Sequence, residues 1–158
     1  MEKSFDPILG VQPKVLILGS LPGKESLRIQ QYYGNVRNAF WKILFSLFDE
    51  ELEGNYTAKK EFLIKNKIAL WDVCRLAERK SSLDSDIKNE LPNSIENLIK
   101  SNPSIKIIGF NGRKTEQLYD KYFNRFEEVS YYTLLSTSPA NARYSFEEKL
   151  NNWKSILK

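Results

Sequence analysis

The sequence predicts an α/β protein in which helices cover both faces of a parallel sheet. Three observations support this: four short apolar runs, helix-length segments between them, and the alternation of the two along the chain. Continuous runs rich in Ile, Leu, Val and aromatic residues that end at polar segments are typical of buried strands. Strands that alternate with helices are typical of parallel sheets buried on both sides.

The predicted strands and helices can be given residue by residue. The strands are KVLILG (14–19), IALWDV (68–73), IKIIGF (105–110) and YYTLLS (131–136). Apolar residues at spacings of three and four predict five helices: NAFWKILFSLF (38–48), TAKKEFLIKN (57–66), NSIENLIKSN (93–102), GRKTEQLYDKYF (112–123) and SFEEKLNNWKSILK (145–158).

Local signals predict where three helices begin, and which segment is irregular. Thr57, Asn93-Ser94 followed by Glu96, and Ser145 are residues that commonly cap helix N-termini. The segment SSLDSDIKNELP (81–92) has the most loop-like composition in the chain.

Composition excludes several classes of protein. A chain of 158 residues, 41% hydrophobic and 13% aromatic, is neither disordered nor collagenous and predicts one domain over residues 1–158. No apolar run approaches the roughly 20 residues of a membrane helix, so we expect no membrane association. The charged segment 1–6 and the single cysteine, Cys74, favour a cytoplasmic protein without an internal disulfide. Cys74 has apolar neighbours, and we interpret it as a buried filler.

The charged and titratable residues narrow the chemistry. A net charge of +4 is compatible with binding a polyanion without requiring it. There is no histidine, which removes the usual general base, the usual zinc ligand and the serine triad. We therefore expect neither a metal nor a cofactor.

Ligands of open parallel sheets bind beyond the carboxyl ends of the strands. That rule selects GSLPG (19–23), WDVC (71–74), FNG (110–112) and STSPANA (136–142), together with the aromatic stretch QYYGNVRNAFW (31–41). The glycines of GSLPG suit close approach of a phosphate, but the segment also fits a plain strand-to-helix turn. STSPANAR allows two interpretations. Its backbone and side-chain hydrogen-bond donors could bind phosphates, or the segment could simply lead into a helix capped by Ser145.

Asp72 and the aromatic stretch each allow two interpretations. Asp72 is either a ligand-facing carboxylate or one whose hydrogen bonds are satisfied by backbone N–H groups. Most apolar residues at helical spacing, including Trp41 and Leu44, are expected to lie in the core. Phe40 lies in the first turn of the predicted helix, close enough to the loops to stack on a flat ligand.

Six segments taken together resemble one known family. ILGSLPG, QYYGNVRNAFW, LWDVC, SLDSDI, FNG and STSPANA resemble, in order and near the expected spacing, the hypoxanthine-DNA glycosylase branch of the uracil-DNA glycosylase superfamily. The resemblance runs from about Val15 to Ala142. It implies a three-layer α/β/α sandwich with a central four-stranded parallel sheet.

The same resemblance implies an enzyme and its reaction. This would be a monofunctional, metal-free DNA glycosylase that flips a deaminated base (hypoxanthine and/or uracil) from duplex or single-stranded DNA and hydrolyses its N-glycosidic bond in base-excision repair. Such an enzyme works by placing a water and stabilising charge, so it needs no titrating histidine. We expect it to act as a monomer.

The resemblance also implies roles for individual residues. Asn38 would hold the attacking water, Phe40 would stack on the base, and Asp72 would accept the N–H of the base edge. Ser20 and Ser136 would assist catalysis, the latter standing where other branches have a histidine, and Leu21 stands where the uracil enzymes have an aspartate. The remaining residues implied are Gly19 and Asn111 beside the base, and Gly23, Ser138, Pro139, Asn141, Arg143 and Tyr144 on the DNA.

The chain departs from the family pattern at two places. Asn35-Val36 stands where His-Pro is usual, and Ser81 stands where a glycine commonly precedes SLD. The polar residues of SLDSDI could serve only to close a loop. One alternative is a relative that recognises DNA lesions without cutting, and another is a protein that binds a small nucleotide or phosphosugar on the same fold.

Overall fold

A four-stranded parallel sheet lies at the centre of this computed structural model, which describes residues 1–157. Within those residues, no helix has the length and apolar character needed to cross a membrane. In chain order the elements are β1 Glu2–Lys3, β2 Val15–Gly19, α1 Lys24–Ile29, α2 Phe40–Leu47, α3 Tyr56–Lys65, β3 Ile68–Asp72, β4 Cys74–Glu78, β5 Lys88–Pro92, α4 Ile95–Ser101, β6 Ile107–Asn111, α5 Arg113–Tyr122, β7 Ser130–Leu134 and α6 Phe146–Trp153.

The central sheet has the strand order β3-β2-β6-β7, with every neighbouring pair parallel. This confirms the four predicted strands, whose bounds shift by two residues or fewer at each end. In the register of the sheet, Val15 is paired with both Ile68 and Ile107. Because the strands are parallel, their carboxyl ends lie at one edge.

Side chains of each central strand alternate between two hydrophobic cores. Val15 and Ile17 belong to a core formed with α2, α3 and α6, whereas Leu16 and Leu18 belong to a second core formed with α4 and α5. A strand covered on both faces has no polar positions, which explains the continuous apolar run in VLILG. The predicted three-layer arrangement is confirmed.

A second, three-stranded antiparallel sheet was not predicted. Its order is β1-β4-β5, and β4 begins two residues after the end of β3. The residues of β5, KNELP, lie in the segment predicted to be irregular. Short, charged strands carry no periodic apolar signal, so only their pairing with β4 defines them. The six-residue helix α1 was missed because it is too short for a periodic pattern.

The predicted N-cap residue is confirmed at two helices of three, and a capping hydrogen bond from its side chain at one. Ser145 caps α6 in a reciprocal capping box, in which its Oγ accepts from Glu148 N (3.1 Å) and Glu148 Oε1 accepts from Ser145 N (3.0 Å). The prediction for α3 was wrong, because Asn55 caps it, accepting from Thr57 N at 2.7 Å. Ser94 precedes α4 without a side-chain hydrogen bond to the helix.

Replacing Trp153 with alanine is expected to destabilise the protein strongly. The indole is fully buried, packs edge-on against Phe40 and donates from Nε1 to Leu135 O at 2.8 Å. Loss of this packing should lower the free energy of unfolding by about 3–5 kcal/mol. Urea unfolding would measure the change. The exposed neighbour Lys154→Ala is the control, and equal stability of the two variants would contradict the prediction.

Candidate active site

A cleft of about 700 Å³ opens at the carboxyl edge of the central sheet. The last residue of each strand lines it, namely Gly19, Asp72, Asn111 and Leu134. All five segments that the sequence selected contribute residues to its walls, including residues 19–23 and 136–141. The edge predicted from strand topology is therefore where the structure has its cleft.

Asp72 lies at the end of β3 with its side chain almost completely buried, at 3% exposure. Its Oδ2 is the one buried side-chain nitrogen or oxygen within residues 1–157 that has no hydrogen-bond partner. Burial, with a smaller contribution from the negative charge of Asp84, raises the pKa of this carboxyl group to about 7, against the opposing effect of Arg79. Backbone N–H groups do not satisfy Oδ2, and an unpartnered buried polar atom in a cleft is typical of a ligand-binding position.

Tyr33 lies on the cleft wall with Tyr32 and Tyr144, whereas Phe40 does not line the cleft. Phe40 is fully buried, and Tyr33 stacks on its ring with centroids 4.0 Å apart and planes 15° from parallel. Tyr33 lines the cleft, and its backbone is left-handed with φ of 52°. Phe40 therefore supports Tyr33 from behind. Periodicity identified the helical rings as core, but it gave no signal that the preceding turn directs Tyr33 inward.

Gly19 allows two polar atoms to approach the end of β2. A Cβ atom at this position would lie 2.5 Å from Asp72 Oδ1 and 2.8 Å from Tyr33 Oη. Both distances are shorter than van der Waals contact, so any side chain here would displace the carboxylate or the phenol. Gly19 thus fixes how closely the Asp72 carboxylate and the Tyr33 hydroxyl converge.

Asn38 lies at the cleft wall just before α2. Its Oδ1 accepts from Phe40 N at 3.0 Å, and its own backbone N donates to Asn35 O at 2.9 Å. Asn35 also lines the cleft, and its Oδ1 accepts from Arg37 N. These bonds orient the Asn38 amide in the turn that precedes the helix.

The Asn111 amide makes its hydrogen bonds within the protein. Nδ2 donates to Tyr33 Oη (3.1 Å) and to Thr137 Oγ1 (3.0 Å), and Oδ1 accepts from Thr137 N (3.0 Å). Thr137 is itself buried, and its carbonyl accepts from Ala39 N. Asn111 therefore connects three loops of the cleft, an arrangement that the FNG sequence did not indicate.

The loop after β7 is shaped by hydrogen bonds within itself. Ser136 Oγ accepts from Ser138 N (3.2 Å), and Asn141 Nδ2 donates to Ser136 O (3.1 Å). Pro139 lines the cleft in the same turn. At the mouth, the exposed Arg143 guanidinium lies over the Tyr144 ring, 5.4 Å from its centroid.

The segment SLDSDI, whose role the sequence left open, contributes a carboxylate to the cleft. Ser20 Oγ donates to Asp84 Oδ1 at 2.6 Å, and both residues line the cleft. The pKa of Asp84 is raised, because burial outweighs the opposing effects of the Ser20 hydrogen bond and of the charges on Arg79 and Lys114. The sequence did not identify Asp84 as a cleft residue, because its contact with Ser20 joins positions 64 residues apart and leaves no local pattern.

Other contacts from residues 79–82 hold the GSLPG loop in place. The Arg79 side chain is 1% exposed, pairs with Glu2 at 2.9 Å, and donates to the carbonyl oxygens of Leu21 and Pro22. Ser82 Oγ accepts from Lys24 N at 3.1 Å. Leu21 packs into the second core, and Gly23 lies beside Ser82, which a Cβ at that position would approach to 3.7 Å.

Four cationic side chains on the cleft walls suit an anionic ligand, and the carboxylates of Glu25, Asp72 and Asp84 line the same walls. Lysine and arginine side chains on the cleft walls are Lys24, Arg113, Lys114 and Arg143.

Cys74 is buried, and burial raises its thiol pKa to about 12, which disfavours a nucleophilic thiolate. Among residues 1–157, no group of three or more His, Cys, Asp or Glu side chains is placed to hold a metal ion.

Comparisons with known proteins match nearly the whole chain. A family model described as the uracil DNA glycosylase superfamily matches residues 7–157. A protein of Methanosarcina barkeri named hypoxanthine DNA glycosylase is 38% identical over 99% of this chain and 98% of its own length. A protein of the same name from Methanosarcina acetivorans is 36% identical over 100% of this chain and 99% of its own length. A solution NMR structure from M. acetivorans, provisionally named a uracil DNA glycosylase, superposes with a TM-score of 0.80 at 34% identity over 99% of each chain.

Replacing Asp72 with asparagine is expected to change how stability depends on pH. The folded-state pKa of about 7 lies above the unfolded value of about 4, so the folded state holds the extra proton between these values. Ionised Asp72 consequently lowers the stability of the wild type as pH rises from about 4 through 7. Asp72→Asn should therefore be more stable than the wild type at pH 8, by up to about 4 kcal/mol. The difference should disappear below pH 4 in urea unfolding, and a pH-independent difference would contradict this.

Proposed function

This chain belongs to the uracil DNA glycosylase superfamily, and we propose that its cleft is the active site of a monofunctional DNA glycosylase for deaminated bases. One observation supports the site above all others. The unpartnered carboxylate of Asp72 lies next to the aromatic wall formed by Tyr33. A flipped nucleobase needs both features, because it is recognised by stacking and by hydrogen bonds to its edge.

Asp72 suits the edge of hypoxanthine or uracil. Each of these bases presents an N–H beside a carbonyl, and a carboxylate oxygen can accept from that N–H. With a pKa of about 7, Asp72 is also protonated in part of the population at neutral pH, and its O–H would then donate to the base carbonyl. Because two full-length relatives are named hypoxanthine DNA glycosylase, we propose hypoxanthine as the principal base and uracil as the alternative.

Tyr33 takes the stacking role that the sequence suggested for Phe40. A base entering the cleft would meet the Tyr33 ring, because Phe40 is covered by it. Asn111 supports the same ring by donating to its hydroxyl, so it acts on the base indirectly. Gly19 and Leu21 then border the base from the strand-end loop.

Asn38 is the residue we propose to hold the attacking water. Its amide is oriented by the bond to Phe40 N, and its side chain lines the cleft. The departing base carries negative charge, which Ser136 and the hydroxyl groups beside it could stabilise by hydrogen bonding. Ser20 is proposed to act from the opposite loop.

DNA would approach across the mouth of the cleft. Cationic side chains there, including Lys24, Lys114 and Arg143, fit phosphates, and Gly23, Ser138, Pro139 and Asn141 are proposed to lie along the strand. Tyr144 or Arg143 is proposed to fill the space that the flipped nucleotide leaves. We further propose that residues 1–158 are one domain acting as a cytoplasmic monomer, with no metal or cofactor.

Base release from synthetic DNA tests the activity directly. Oligonucleotides with one hypoxanthine or one uracil, single- and double-stranded, should lose the base and acquire an alkali-labile site. Asn38→Ala should reduce single-turnover release by about 100-fold or more, because water is no longer oriented. If the wild type binds DNA with the usual salt dependence but releases no base, the protein is a lesion-binding relative instead. Failure to bind DNA would favour a small nucleotide as the ligand.

Substitutions of Tyr33 should separate stacking from its hydrogen bond. Tyr33→Ala removes the ring, and loss of base stacking worth about 1–3 kcal/mol should lower kcat/KM by about 5- to 150-fold. Tyr33→Phe keeps the ring and loses only the Asn111 bond, so its effect should be smaller. Tyr56→Phe is the control, since Tyr56 does not line the cleft and its hydroxyl only accepts from the backbone N of Tyr32. Equal losses in Tyr33→Ala and Tyr56→Phe would argue against stacking on Tyr33.

A further inference from the structure

A single side-chain hydrogen bond, from Ser20 in the GSLPG loop, holds the carboxylate of Asp84 in the cleft. Its Oδ1 accepts from Ser20 Oγ at 2.6 Å. Asp84 belongs to the turn at residues 84–86, between β4 and β5, and reaches the cleft from a segment that is distant in sequence from GSLPG. The contact fixes one oxygen of the carboxylate and leaves the other free to act.

The second oxygen of Asp84 is not used by any hydrogen bond within residues 1–157. Asp84 is half-buried and lines the cleft. Within residues 1–157, the one fully enclosed side-chain polar atom without a partner is Asp72 Oδ2, so the unpartnered Asp84 Oδ2 is not fully enclosed. Asp84 Oδ2 is consequently accessible. Ser20 donates its only hydroxyl proton to Oδ1, so the Ser20 oxygen also presents lone pairs to a donor such as water.

The carboxylates of Asp72 and Asp84 have different surroundings. Asp72 is buried at the end of β3 with an unpartnered oxygen, and the negative charge of Asp84 disfavours its ionisation. Burial also raises the pKa of Asp84, but the Ser20 hydroxyl and the cations Arg79 and Lys114 favour its ionised form. The hydrogen bond from Ser20 therefore favours the ionised form of Asp84, whereas Asp72 Oδ2 has no such donor.

We propose that Asp84 is a catalytic carboxylate, which stabilises the positively charged sugar and accepts the proton of the attacking water. This inference rests on the proposed glycosylase function. The water oxygen bonds to the anomeric carbon as the bond from that carbon to the base nitrogen breaks. The bonding electron pair leaves with the base, which takes a proton from solvent, and Asp84 takes the proton released by the water. The products are the free base and an abasic sugar with a hydroxyl group.

Two features of the loop residues explain why this carboxylate is needed. Leu21, in the GSLPG loop, has an aliphatic side chain that packs into the second core and cannot accept a proton. Asn38 can orient water through its amide oxygen, which already accepts from Phe40 N, but an amide does not hold the proton that is released. Asp84 supplies the missing acceptor through a different segment of the chain.

Asp84→Asn is the primary test, with Asp86→Asn as its matched control. Asp86 lies two residues away in the same turn and bonds to Ser81, outside the lining of the cleft. Single-turnover release of hypoxanthine should fall by about 100- to 10,000-fold in Asp84→Asn and change little in Asp86→Asn. The amide oxygen introduced by Asp84→Asn can still accept from Ser20, so DNA affinity and melting temperature should stay near wild type. A rate in Asp84→Asn within threefold of wild type would overturn the proposal.

The pH dependence and chemical rescue distinguish a catalytic carboxylate from a structural one. Wild-type release should decline as pH falls through the pKa of Asp84, and Asp84→Asn should lose this acidic limb. Formate should partly restore release by Asp84→Gly, because it can enter the vacated position and accept the proton. A rate loss without rescue by formate, together with a lower melting temperature, would assign Asp84 a structural role and overturn the proposal. No release by the wild type would instead contradict the glycosylase function itself, and the catalytic role of Asp84 with it.

Discussion

The Asn111 amide is the interaction on which the geometry of the cleft depends. It bonds to Thr137 through both its oxygen and its nitrogen and to the hydroxyl of Tyr33 through its second N–H. Thr137 in turn accepts from Ala39 N at the start of α2. These bonds connect the end of a central strand with two loops that are distant in sequence. Because both N–H groups and the oxygen of the Asn111 amide are used, the loops converge in one arrangement.

A second set of contacts holds the wall of the cleft that the GSLPG loop forms. The guanidinium of Arg79 is buried between Glu2 and the carbonyl oxygens of Leu21 and Pro22, and Asp84 bonds to Ser20 a few residues along. The small antiparallel sheet therefore does more than extend the fold. It delivers a cation and a carboxylate to the GSLPG loop, which has neither type of side chain at residues 19–23.

The central elements could be predicted because their signals are local. A strand buried on both faces must be apolar throughout, as VLILG is, and an amphipathic helix repeats its apolar residues every three to four positions. The strands β1 and β5 have no such signal, since EK and KNELP are charged and gain their conformation by pairing with β4. Similarly, Asn55 caps α3 from just outside the segment that periodicity had marked.

The sequence by itself determined the parallel sheet, the edge at which the cleft lies, and the presence there of Asp72. These follow from the alternation of strands and helices and from the polar residues at strand ends, because both signals can be recognised within short, continuous stretches of the chain. The tertiary structure alone decided that Tyr33 covers Phe40 and that Asp84 reaches Ser20. The first depends on a left-handed turn at Tyr33, and the second joins residues 64 positions apart, so neither leaves a periodic pattern in the sequence.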